Sequence, residues 1–119
     1  MTLDEILGQL GCKSIEATKA RFLEDREFYC DLTTEALNDP GFETLGRQLM
    51  EKDTQAAFDT AHMLKGVVSN CGLDVLFDRI VELVEPLRTG HPDYAAMEVN
   101  YRRVLDRRDA DRAVLTKNS

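Results

Sequence analysis

Apolar residues in this chain recur three and four positions apart, and no window alternates β-branched and polar residues at a period of two. A chain with only the helical period buries its apolar surface by packing helix on helix, so the expected class is all-α. Glycine and proline punctuate the pattern. A short helix at Leu3–Leu10 should stop at Gly11. A second begins near Ser14, whose hydroxyl can cap it, and carries Phe22, Leu23, Phe28, Tyr29, Leu32 and Leu37 to the break at Asn38-Asp39-Pro40-Gly41. Phe42 to Glu51 forms the next, with Phe42, Leu45, Leu49 and Met50 at helical spacing. Thr54 to Cys71 follows, with Asp53 as its cap and Gly72 as its left-handed stop.

Asp74 is placed to cap the following helix, with Val75, Leu76, Ile80, Leu83, Val84 and Leu87 as its inner stripe and Pro86 kinking its last turn before Gly90. Pro92 opens the final helix, which turns Tyr94, Met97, Tyr101, Val104 and Leu105 inward before residues 116–119 fray. Four long amphipathic segments joined by short links predict an antiparallel four-helix bundle with the short N-terminal helix packed across one end. At 119 residues this is a single domain, 1–119, with one core.

Charge narrows the partners. Lys and Arg total 15 against 22 Asp and Glu, a net −7, which disfavours nucleic acid. The excess lies in residues 1–61, with 13 acids and 6 bases; residues 62–119 carry nine of each. Cys12, Cys30 and Cys71 are odd in number and widely spaced, so reduced thiols are expected rather than disulfides or a zinc cluster. The acidic start, Met1-Thr2-Leu3-Asp4-Glu5, leads into no long apolar run. That predicts neither a secretory signal nor a membrane span, and hence a cytoplasmic protein.

Chemistry concentrates in Ala61-His62-Met63-Leu64-Lys65-Gly66, closed by Asn70 and Gly72. On one helix His62, Lys65, Gly66 and Ser69 share an outer strip, while Ala57, Ala61, Leu64, Val68 and Cys71 face the core. A neutral imidazole is a competent nucleophile, and the Lys65 cation one turn away disfavours the imidazolium and can face incoming phosphoryl oxygens. Gly66 costs the helix about 1 kcal/mol relative to Ala, so a glycine beside a histidine needs a reason; a bare backbone gives an incoming domain access.

These twelve residues, Ala61 to Gly72, resemble the signature of histidine phosphotransfer domains, His-x-Leu-Lys-Gly followed by a small polar stretch and Gly. The likeness extends over most of the chain, through the flanking helices and the overall length. It implies that His62 accepts a phosphoryl group from an aspartyl phosphate on a receiver domain and passes it to an aspartate on another, with Lys65 serving phosphoryl electrostatics and Gly66 steric access. The implied partners are receiver domains of hybrid histidine kinases and response regulators. The chain would then be a monomeric carrier rather than an enzyme, without a cofactor of its own, the Mg²⁺ belonging to the receiver. Val67 and Val68 depart from the small polar residues often found there; Val68 faces the core by helical phase, so only Val67 bears on partner choice.

Gln55, Phe58, Asp59, Ser69 and Asn70 are the candidate partner-binding residues around His62, Phe58 either offering an apolar contact or tucking against a neighbouring helix. A metal at His62 with Asp59 lacks further ligands, since His91 is the only other histidine and reads as a turn residue. Gly8-Gln9-Leu10-Gly11-Cys12-Lys13-Ser14 lacks the glycine before lysine and the leading strand of a phosphate-binding loop, so autonomous kinase activity is not expected. The run Arg102 to Arg112 alternates sign like a solvated helix face. Two rival functions remain: a helical module that docks a receiver or kinase without being phosphorylated, and a structural bundle that self-associates through exposed aromatics.

Overall fold

The computed structural model describes residues 1–118, which form helices joined by short turns, with no strand among them. The N-terminal helix α1 (Leu3–Gln9) is started by a reciprocal cap in which Thr2 Oγ1 accepts from the Glu5 amide and Glu5 Oε1 accepts from the Thr2 amide. Its buried face, Leu3, Ile6 and Leu7, packs on α2 (Ile15–Arg21) and on the last helix.

The continuous helix expected from Ser14 to the Asn38 cluster is broken: α2 ends at Arg21 and α3 spans Arg26–Leu37. Leu23 and Glu24 between them adopt left-handed φ values of 59° and 56°, and the Asp25 side chain caps α3 by accepting from the Phe28 amide. The break turns Leu23, Phe28 and Leu32 to solvent, leaving Phe22, Tyr29, Cys30, Thr33 and Leu37 as the buried set. Ser14 makes no side-chain cap.

The helix α4 (Gly41–Met50) buries Phe42, Leu45 and Leu49, whereas Met50 is exposed. Asp53 caps α5 (Thr54–Asn70) as expected, accepting from the Ala56 amide, and Gly72 turns the chain out of it at φ 69°. Asp74 is not a cap: it is the first residue of α6 (Asp74–Arg88), and its carboxylate accepts from the Lys13 amide at 2.7 Å. Asp93, not Pro92, starts α7 (Tyr94–Lys117), accepting from the Ala95 and Ala96 amides. This helix stays regular to Lys117 instead of fraying, and Asn118 Nδ2 donates back to the Val114 carbonyl; Ser119 lies outside the described residues.

Against α5 lie α4 on one side and α6 on the other, and α7 packs on both α6 and α4. The Ala57, Ala61, Leu64 and Val68 face of α5 is thereby buried, together with Leu76, Ile80, Leu83, Val84 and Leu87 of α6. Close approach of α4 and α7 is set at Gly46, where a Cβ would lie 2.7 Å from the nearest atom of the Tyr101 ring; the Tyr101 hydroxyl donates to the Phe42 carbonyl at 2.7 Å. Farther along α7, α3 takes over as its neighbour. There the buried Tyr29 hydroxyl donates to the Cys71 carbonyl at the end of α5, and Arg26 donates to the carbonyls of both Met1 and Asn118.

Candidate functional site

Helix α5 positions every residue of the candidate site. Its 17 residues span about 25 Å, so His62 sits near the middle, more than a turn from either end. Ala57, Ala61, Leu64 and Val68 lock one face into the core, which fixes the azimuth of the other. On that outer face His62, Met63, Gly66, Ser69 and Asn70 are exposed, and Lys65 and Val67 are half-buried at its edges. Val68 is fully buried, as its helical phase requires.

Neighbours of the imidazole are few. The Phe58 ring, one turn earlier, lies 5.8 Å from it, centroid to centroid, at an interplanar angle of 35°. Phe58 is half-buried against the core and also carries the Arg88 guanidinium at 5.2 Å from its ring centre, a cation–π contact from α6. The packing expected of this side chain is therefore seen, and its ring also flanks His62. Gln55 Nε2 donates to Asp59 Oδ1 at 2.9 Å, so these two partner-binding candidates hold each other. Ser69 and Asn70 lie on the same strip beyond Gly66, and the Asn70 carbonyl accepts from Arg21 Nε. None of the four hydrogen-bonds His62 among the described residues, leaving the ring free to meet an outside group.

Lys65 forms no ion pair within 4.0 Å among the described residues, so its ammonium is uncommitted. Gly66 is the sharper observation. A Cβ built on it meets nothing within 4 Å beyond the backbone of its own helix. No packing among the described residues demands glycine there. Beside the strip, an open groove of about 350 Å³ is lined by Thr54, Gln55, Phe58, Leu87, Arg88 and Gly90. Sequence reasoning missed Arg88 and this groove, because a contact between α5 and α6 depends on how the helices cross and leaves no trace in the spacing of either.

Away from this strip, burial shifts several titratable groups. Asp111, 1% exposed on α7, has its carboxyl pushed up to about 6 by burial, with the Arg107 cation opposing; Arg107 Nε lies 3.0 Å from Oδ1 but is not aligned to donate a hydrogen bond. Burial likewise raises the Cys71 and Cys30 thiols, keeping them protonated and unreactive. No three His, Cys, Asp or Glu side chains among the described residues converge to hold a metal ion, and no described helix is long and apolar enough to cross a membrane. No protein-family model, curated protein or solved structure matches this chain.

Proposed function

We propose that this chain is a phosphoryl carrier, a free-standing histidine phosphotransfer protein that relays phosphoryl groups between receiver-domain aspartates through His62. The observation that carries the reading is the conjunction at one strip, among the described residues, of a mid-helix histidine without hydrogen-bond partners, an ammonium one turn on without an ion pair, and a glycine that no neighbouring side chain requires. Each costs or contributes little to folding. Together they supply what phosphoryl transfer between two proteins needs: a nucleophile, a counter-charge and clearance for the second protein.

In the transfer, the lone pair of the distal imidazole nitrogen, Nε2, attacks the phosphorus of the aspartyl phosphate. The N–P bond forms as the P–O bond breaks, and that electron pair returns to the aspartate as carboxylate. Reversal onto a second aspartate regenerates the imidazole. Lys65 faces the phosphoryl oxygens as a point charge, and the rigid core-locked helix keeps the nitrogen in place. The Mg²⁺ and acidic residues that assist the step belong to the receiver. We read α4 to α7 as an antiparallel four-helix bundle, a reading supported by the closed circuit of contacts from α4 through α5, α6 and α7 back to α4. A cytoplasmic monomer fits this role.

Incubation with a phosphorylated receiver should move acid-labile, base-stable phosphate onto the chain. His62→Gln should abolish that labelling while leaving the helical spectrum intact, because the residue is exposed. Equal labelling of the variant would overturn the assignment.

A further inference from the structure

A second surface is built on α3, beyond the end of α5. Phe28 and Leu32, one turn apart, are each 38% exposed on its outer side, and Leu23, in the turn that leads to it, is 78% exposed. The Phe28 ring rests 5.8 Å from the buried Phe22 ring, the residue next to Leu23. Leu23 also holds a left-handed backbone, which costs a β-carbon-bearing residue roughly 1–2 kcal/mol and which Gly or Asn would adopt more easily. Folding gains nothing from an exposed leucine in that conformation.

Charge identifies what this face can accept. Asp31 and Glu35 lie along the same side of α3 as the apolar pair, and neither has an ion-pair partner among the described residues. Arg26, the one arginine on α3, is already committed to Glu27 and to the carbonyls of Met1 and Asn118. A second copy of the chain would oppose acid to acid, and an anionic membrane or nucleic acid would be repelled. We infer that the outer face of α3 is a docking surface for a cationic amphipathic protein helix, its apolar side chains on Leu23, Phe28 and Leu32 and its Lys or Arg side chains on Asp31 and Glu35. This surface is on α3 and the His62 strip is on α5, and none of its residues belongs to that strip, so the proposal stands whether or not His62 carries phosphate.

The test is a titration of the isotope-labelled full chain with a synthetic helical peptide bearing leucines on one face and lysines on the other. Saturable amide shifts should centre on residues 23–35. Replacing Asp31→Lys together with Glu35→Lys, both exposed, should weaken binding roughly tenfold or more without loss of helix, and Phe28→Ser with Leu32→Ser should do the same. A peptide with glutamates in place of lysines should not bind. Shifts centred on α5 or spread over the acidic surface, or an affinity indifferent to the charge reversal, would overturn the proposal; should the serine pair unfold, the charge reversal alone decides.

Discussion

Two mid-helix glycines on adjacent helices have opposite reasons to exist. Gly46 on α4 faces α7, where the Tyr101 ring fills the space a side chain would take and its hydroxyl reaches the Phe42 carbonyl. Gly66 on α5 faces outward, and a side chain there would touch nothing. The same residue type serves closure between two helices of one chain in the first case. In the second, the space is open, and under the proposed function it is clearance for a second protein. Glycine content alone does not distinguish them; only the surroundings do.

The comparison breaks most visibly at Gly46. Ala there should destabilise the fold by about 2–3 kcal/mol, since the Tyr101 ring must move and give up its hydrogen bond, and urea unfolding followed by circular dichroism measures the loss. An unchanged midpoint would mean that the α4–α7 contact is loose.

The closed side of α7 also contains Asp111, whose folded-state carboxyl titrates at about 6, above its ordinary value of 3.8. The folded form therefore keeps its proton to higher pH than the unfolded form. Stability from this group is fully present below about pH 4, falls as pH rises toward 6, and levels off above it. The decline should amount to something on the order of 2 kcal/mol, and Asp111→Asn should flatten it in unfolding curves taken across that window.

On the open side the effects move from stability to transfer. Lys65→Ala should slow phosphoryl transfer about tenfold, equivalent to ~1.4 kcal/mol of barrier, with helix content unchanged; stopped-flow or gel-based transfer assays with one receiver read it. Smallest of all is the stability effect of Gly66→Ala. It should stabilise the isolated chain by up to about 1 kcal/mol, the sign opposite to that at Gly46, while transfer from a receiver slows. A Gly66→Ala protein that is both more stable and equally fast would leave the glycine without the role assigned to it.

Much of this was legible before any coordinates. The limits of α5, its Asp53 cap, the left-handed Gly72 and most of the inner stripes of α6 and α7 follow from periodicity and local capping chemistry, which act over a few residues, although Val75, Tyr94, Tyr101 and Leu105 are only half-buried. The α2–α3 break was not legible, because Leu23 and Glu24 adopt a conformation that their types disfavour; Asp25 as a cap ahead of Arg26-Glu27 was the one available signal. At the candidate site, the strip of His62, Lys65, Gly66 and Ser69 was readable from phase along a single helix, although Lys65 is half-buried at its edge rather than exposed. Arg88 over Phe58 was not, since it joins two helices, and neither was the emptiness around Gly66, which is a property of everything that fails to pack there.

The grip of Arg26 on the carbonyls of Met1 and Asn118 brings the two ends of the described chain to one corner. A linker of a few residues would join them, making the succession of helices an almost closed circuit. A cargo attached at either end would leave the molecule from the same place, without threading through its packed interior.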